Sequence, residues 1–353
     1  MTLLDQTILS IDKSLDEDAF HAAKKRLANQ AKPAGSLGVM EDISARLAAI
    51  KGTINVNLSN KRIVTCAGDH GVAKEGVSLF PPEVTPRMVY NFADKGASVN
   101  VIGKHAGAIV KAADLGVNHD FEPDLPIFHK KIRYGTANFT KEPAMSRKEA
   151  ILSIEAGIEI VNELEAEAPV DLLGTGDMGI GNTTPSSAII AAFSGIEVEK
   201  LTGRGTGIDD QALNNKIAVI KKGLTLHKPD PHDPIDVLSK VGGLEIGGLA
   251  GLVLGAASRG IPVICDGLIS TAGALIACEL APEAKNYLFA SHKSVEKGHR
   301  FMHERLGLEP LIDLGFRLGE GTGAAVCMEL LDLSTRILAD IKTFEEVGIH
   351  DAQ

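Results

Sequence analysis

Short unbroken apolar runs alternate along this chain with longer stretches in which apolar residues return at helical spacing. The runs at 62–70 (RIVTCAGDH), 108–116 (AIVKAADLG), 170–177 (VDLLGTGD), 261–267 (IPVICDG) and 286–292 (NYLFASH) read as strands, with a sixth candidate at 311–316 (LIDLGF). Apolar strands separated by helices predict an α/β fold: a parallel sheet covered by helices on both faces. Each of the five runs breaks at a polar residue: Asp69, Asp114, Asp177, Asp266 and His292. Ligands of such sheets bind outside the carboxyl ends of the strands, so these five are expected to face one site as a set.

The helical stretches carry start and stop signals. In TPRMVYNFADKG, Thr85 reads as an N-cap, Pro86 as a first-turn residue and Gly96 as a terminator. NTTPSSAIIAAFSG (182–195) opens on polar caps and Pro185. Gly243, Gly247, Gly251 and Gly255 recur every fourth residue and form one bare face on a helix. That face predicts close packing of another backbone, with a second copy of the chain as one candidate partner. The two ends differ from the middle: 14–51 reads as two amphipathic helices and 324–341 as another, with no strands. A small helical domain from both termini (1–55 and 318–353) on a large α/β domain (56–317) is expected. No internal repeat or low-complexity segment is present.

Composition narrows the function. The chain has 353 residues, 36 Lys and Arg against 46 Asp and Glu, and a net charge of −10, which leaves no basic stripe for a nucleic acid. With no Trp and three Tyr, base-stacking platforms are also scarce. Cys66, Cys265, Cys278 and Cys327 are scattered in apolar surroundings and read as buried thiols of a cytoplasmic protein. The acidic start, MTLLDQTILSIDKSLDEDAF, lacks the pattern of a signal peptide. IGGLAGLVLGAAS (246–258) lies between Glu245 and Arg259 and is too short to span a membrane.

The candidate chemistry lies in three glycine loops. GTGDMG (174–179) is a literal G-x-G-x-x-G, the pattern of a dinucleotide turn. That reading requires the helix to open at the third glycine and a strand-end acid about 20 residues on. Here the glycines continue to Gly181, the helix opens late, at Asn182–Pro185, and GIEVEKLTG is too short and charged for a second strand. A nest of backbone N–H groups at a helix start, holding one anion, is the physical alternative. GRGTGIDD (203–210) repeats the pattern before a helix starting near Asp209, with Lys216 two turns on as either a phosphate cation or a solvated lysine. LGEGTGAA (318–325) sets Glu320 among glycines. A carboxylate there is either a proton acceptor or an acid favoured by the helix dipole.

Other constellations are weaker. Asp69-His70 ends the first strand, as a base, a substrate contact or a structural pair. His292, His299 and His303 form H-x6-H-x3-H, a spacing that zinc ligands can adopt, with no second acidic motif in support. No G-x-S-x-G elbow supports a serine hydrolase. Asp209-Asp210 follow a glycine loop rather than an apolar strand, unlike the usual phosphoribosyl-pyrophosphate signature.

Five stretches together are more specific. GDHGVAKEGVSLFPPEVTPRMVYNF, GTGDMGIGNTTPSSAI, GRGTGIDD, SHKSVEKG and LGFRLGEGTGAA occur in the order and approximate spacing of the nicotinate-nucleotide:dimethylbenzimidazole phosphoribosyltransferases, which this chain resembles from about residue 30 to 335. The resemblance implies a Rossmann-like sheet with a small helical domain, a homodimer, and transfer of phosphoribose from nicotinate mononucleotide to a benzimidazole-type base without metal or redox cofactor. It implies that Glu320 is the catalytic base. Asp177, Gly179, Gly181, Asn182, Thr183, Gly203, Gly205, Thr206, Lys216, Ser294 and Leu318 are implied nucleotide or base contacts. Phe80 and Met88 stand where some members carry polar side chains, so adenine, phenols and substituted benzimidazoles all remain as acceptors. Asp177 stands where better-known members carry Glu.

Overall fold

A computed structural model of the chain describes residues 1–11, 14–205 and 207–349. Seven strands, β1 (Lys61–Gly68), β2 (Ala108–Gly116), β3 (Phe128–His129), β4 (Leu172–Met178), β5 (Val263–Cys265), β6 (Leu288–His292) and β7 (Pro310–Ile312), form one sheet in the order β3-β2-β1-β4-β5-β6-β7. Every pairing between neighbouring strands of this sheet is parallel. The order reverses between β1 and β4, where Thr65 lies beside Gly176 and Cys66 beside Asp177. Crevices in such sheets open at this reversal. The expected strands are all present, although the run at 311–316 reduces to Pro310–Ile312 and β3, two residues long, was not expected.

Fourteen α-helices among the described residues surround the sheet. They are α1 (Leu3–Leu9), α2 (Glu17–Asn29), α3 (Val39–Lys51), α4 (Val84–Ala93), α5 (Ser98–His105), α6 (Arg147–Glu167) and α7 (Thr183–Ser194), then α8 (Val198–Leu201), α9 (Asp210–His227), α10 (Pro234–Val241), α11 (Leu244–Ala257), α12 (Leu268–Leu280), α13 (Lys297–Leu306) and α14 (Thr322–Asp340). The caps explain several starts: Asp16 accepts the Ala19 N–H, Asp209 accepts the Ala212 N–H, and Ser146 with Glu149 closes a capping box. Thr85 is not the cap of α4. It lies inside the helix, fully buried, and its Oγ1 accepts the Ile180 N–H at 3.2 Å, so a tertiary bond has replaced the local one.

The glycine face of α11 is filled within the chain. A Cβ at Gly247 would stand 1.9 Å from Ser153 Oγ, and one at Gly251 would stand 1.9 Å from the Ile154 carbonyl, both on α6. The second-copy explanation of that face is therefore corrected: α6 occupies it. α2, α3 and the end of α14 share a separate small apolar cluster of Ala23, Leu27, Ala45, Ala48 and Leu338, while Arg26 donates to the Leu338 carbonyl at 2.8 Å. α1 packs elsewhere, its Leu4 N–H donating to Glu155 of α6. All four cysteines are buried free thiols, and among the described residues no helix is long and apolar enough to cross a membrane.

Candidate active site

The three glycines of G-x-G-x-x-G each admit a neighbour rather than a pyrophosphate. A Cβ at Gly174 would meet Met328 at 2.9 Å, at Gly176 the Glu320 carbonyl oxygen at 2.0 Å, and at Gly179 the Gly68 carbonyl at 2.3 Å. Of the three, only Gly179 lines the cavity at the strand ends. Gly181, at φ +90°, packs over Ala73 outside the cavity lining. The stretch GIEVEKLTG forms the short helix α8, so no second strand follows and the dinucleotide reading lapses.

A cavity of about 310 Å³ opens beyond β4, β5 and β6. Asp177 reaches it from the end of β4, with Oδ2 accepting Asn182 Nδ2 at 2.8 Å and Oδ1 buried without a partner. Burial, and then the nearby Asp266, hold the Asp177 carboxyl well above the usual range. Asn182 and Thr183 line the same cavity from the start of α7.

Glu320 lines the same cavity from the loop that precedes α14. It is one of three consecutive residues at positive φ: Gly319 at +85°, Glu320 at +65° and Gly321 at +103°. A non-glycine residue in this region is uncommon and is held there by its surroundings. Thr65 Oγ1 donates to the Glu320 carbonyl at 2.7 Å, and the Glu320 N–H donates to the Asp177 carbonyl at 3.2 Å. The side chain lines the cavity, and its Oε2 accepts the Val99 N–H at 3.3 Å, at the start of α5. Burial raises its pKa despite backbone hydrogen bonds from Val99 and Ser98.

Asp266 anchors this loop from beneath. Its carboxylate accepts the N–H groups of Gly321 (3.2 Å), Gly323 (2.7 Å) and Ala324 (3.0 Å) while fully buried. Burial pushes its pKa up to about 7 against those bonds. His292 closes the same corner. Ser291 Oγ donates to the Asp266 carbonyl at 3.0 Å, so its contact with His292 Nδ1 at 2.9 Å assigns the proton to Nδ1. Burial lowers the His292 pKa to about 4, and the ring is neutral.

The end of the cavity nearest Lys216 is built by α7, α9 and two loops. Lys216 is fully buried rather than solvated, and its Nζ donates to Thr183 Oγ1 at 2.7 Å and to the Gly203 carbonyl at 3.4 Å. Burial lowers its pKa to about 8. Gly205 and Ser294 line the cavity, while Gly203 lies behind it against Glu296. Thr206 falls outside the described residues. Phe80, Val84, Met88, Met178, Ile180 and Leu318 supply an apolar wall, with Phe80 and Leu318 more than half exposed.

Known proteins match this chain over nearly its full length. A family model described as phosphoribosyltransferase matches residues 13–349. A nicotinate-nucleotide–dimethylbenzimidazole phosphoribosyltransferase from Citrifermentans bemidjiense is 54% identical over 349 residues, covering 99% of both chains. The protein of that name from Geotalea uraniireducens is 54% identical over 353 residues, covering 100% of both. The crystal structure of the Thermus thermophilus enzyme of that name superposes with a TM-score of 0.90 at 40% identity, covering 95% of this chain and 99% of that one. The chain belongs to this phosphoribosyltransferase family.

Not every strand-end residue of this phosphoribosyltransferase reaches the cavity. Asp69 holds the Asn118 N–H at 2.8 Å, and Asp114 holds the Val117 N–H at 2.9 Å and pairs with Lys131. Neither lines the cavity, because β1 and β2 lie on the far side of the reversal in strand order. His70 is in a buried pair with Glu245, Nε2 to Oε1 2.8 Å. Burial alone would lower its pKa, but the Glu245 charge, its hydrogen bond and the nearby Asp69 charge together outweigh this and leave it raised. His299 uses both ring nitrogens, accepting the Ser294 N–H at 3.2 Å and contacting Thr271 Oγ1 at 2.9 Å, so it has no lone pair left for a metal. Val84, Glu296, Arg317 and the start of α12 (Gly267–Ile269) line the cavity without having been singled out as contacts. That helix start and Glu296 follow β5 and β6, so the strand-end rule could have found them.

Proposed function

We infer that this phosphoribosyltransferase moves the phosphoribosyl group of nicotinate mononucleotide to 5,6-dimethylbenzimidazole or a related base. Nicotinate is released and α-ribazole 5′-phosphate, destined for the lower ligand of cobalamin, is formed. One observation carries this reading: a single cavity joins a buried carboxylate, Glu320, to an anion nest beside buried Lys216.

In this reading the 5′-phosphate lies against Gly205, Ser294 and the Lys216–Thr183 pair, with Gly203 behind Glu296. Asp177, Gly179 and Asn182 border the ribose and pyridine ring, and Phe80, Met88 and Leu318 border the acceptor. A benzimidazole has one nitrogen lone pair and one N–H. The lone pair attacks C1′ opposite the pyridinium, whose C–N bond breaks and returns its electron pair to the ring nitrogen. The β-nucleotide thereby becomes an α-riboside. The ring is already cationic, so its departure needs no acid. Glu320 takes the acceptor's N–H proton as the new bond forms, and burial, by raising its pKa, makes it a stronger base. The ribosyl centre carries oxocarbenium character, as in glycoside transfer.

We read α2, α3 and the end of α14, within residues 1–55 and 318–353, as a small helical domain, with α1 packed instead on α6, the working assembly as a homodimer, and the reaction as cytoplasmic. The test incubates the protein with nicotinate mononucleotide and a panel of benzimidazoles, purines and phenols, following nicotinate and the riboside. Glu320→Gln is expected to keep nucleotide affinity and lose about 10²–10⁴ of turnover. Near-normal turnover in that variant would remove Glu320 as the base.

A further inference from the structure

The anion nest holds a side chain of the protein itself. Glu296 is buried and faces the cavity, and its Oε1 accepts the Gly205 N–H at 2.8 Å. Its Oε2 is buried with no hydrogen-bond partner. A Cβ at Gly203 would stand 2.1 Å from Oε2, so a glycine there is what lets the carboxylate settle. The Glu296 charge acts on the buried ammonium of Lys216, opposing the effect of burial on it. The Ser294 hydroxyl oxygen accepts the Glu296 N–H at 3.3 Å, which leaves its own O–H free to donate.

We propose that Glu296 is an internal anion that occupies the phosphate nest and must be displaced by the substrate's 5′-phosphate, which makes it a specificity-determining residue. The argument is one of charge and valence. An empty nest would leave the Lys216 ammonium buried without a counter-charge, which is costly. Glu296 supplies that charge but satisfies only one of its two oxygens. A phosphate monoester brings more charge and three terminal oxygens for the Gly205 N–H, Lys216 and the Thr183 and Ser294 hydroxyls. It therefore outcompetes the carboxylate, whereas an uncharged nucleoside does not. Two anions cannot share the nest, so Glu296 swings out or takes up a proton as phosphate enters.

The nucleotide part of this inference rests on the proposed function; the nest itself does not. The test is calorimetry with inorganic phosphate and with nicotinate mononucleotide, in two buffers of different ionisation enthalpy, on the wild type, Glu296→Gln and Glu296→Ala. Both variants are expected to bind inorganic phosphate about tenfold tighter or more, as for removal of a like charge in a partly buried site. Any proton uptake seen in the wild type should vanish. Glu296→Gln keeps an acceptor for the Gly205 N–H, so it separates charge from loop order. Unchanged or weaker phosphate binding in both folded variants would overturn the proposal. Tighter phosphate binding without any binding of the mononucleotide would uphold the internal anion and sink the proposed function instead.

Discussion

Gly176→Ala tests whether backbone packing positions the base. The new methyl would stand 2.0 Å from the Glu320 carbonyl oxygen, 2.4 Å from its carbon and 2.7 Å from the Gly321 nitrogen. All three are backbone atoms, so no rotamer change relieves the clash. The carbonyl is held by Thr65 Oγ1 and the Gly321 N–H by Asp266, so retreat of the loop strains or breaks both bonds. Overpacking of this kind costs about 1–3 kcal/mol, and a lost buried hydrogen bond adds about 1 kcal/mol. The total predicts a melting point lower by several degrees, roughly 2–4 °C per kcal/mol or somewhat less for a chain this long. The loop must retreat by about 1 Å, and a misplacement of that size costs about 10² in turnover. Steady-state kinetics and scanning calorimetry read the two effects separately. Gly174→Ala is the control: its methyl meets the Met328, Ile63 and Ala324 side chains at 2.9–3.3 Å, and side chains can give. Gly174→Ala should retain turnover within about threefold, well short of the loss from moving the loop. If Gly176→Ala also kept turnover and melting point, the claim that β4 positions Glu320 by contact would be wrong.

Asp266→Asn exchanges one of the two oxygens that receive backbone N–H groups for an NH₂ group, and should cost about 2–4 kcal/mol by chemical denaturation. Its folded pKa, about 7, lies above the unfolded 3.8, so its contribution to stability is fully present below about pH 4 and is lost as pH rises toward 7. The wild-type-minus-variant stability should therefore slope across that window and be flat above it. Lys216→Met should raise KM for nicotinate mononucleotide about 10- to 100-fold, the loss of a charge-assisted bond, without a matching change for the nucleoside. Val84→Asn puts an amide on the apolar wall and should weaken dimethylbenzimidazole by about 1–2 kcal/mol in KM, leaving the nucleotide KM unchanged. The acid limb of the turnover profile should fall as pH drops through the Glu320 pKa, above the ordinary glutamate value.

The parallel sheet was legible because β1, β2 and β4 are mostly apolar runs that end near a polar break. β3 was not, because two edge residues carry no periodicity. The G-x-G-x-x-G pattern was legible but ambiguous, since glycine marks a close approach without naming the neighbour. Only the fold reveals that the neighbour of Gly176 is a backbone 144 residues away, at Glu320. Thr85 illustrates the same limit: the local signal favoured a cap, and a bond to Ile180 won. Asp266 was visible as a strand-end acid, yet its role depends on N–H groups 55 to 58 residues further on. Lys216 could be read as solvated or as a phosphate cation until its burial was known.

The charges of the site follow from the reaction inferred for it. Positive charge begins on the pyridinium, spreads over the ribosyl carbon and ends on the acceptor's N–H. Every group that touches that path should therefore be neutral or anionic. Asp177 and Glu320 line the cavity, the His292 ring beside them is kept neutral by burial, and Arg317 is the one cationic side chain among the described lining residues. Lys216 does not line it: its ammonium is held behind Thr183 and answered by Glu296. An ammonium free to approach C1′ would oppose the developing positive charge, by several kcal/mol at short range in a low-dielectric site. The same lysine is favourable only where the substrate is anionic, at the phosphate. Keeping Lys216 buried and paired until phosphate arrives lets one cavity serve a dianion at one end and a cationic transition state at the other.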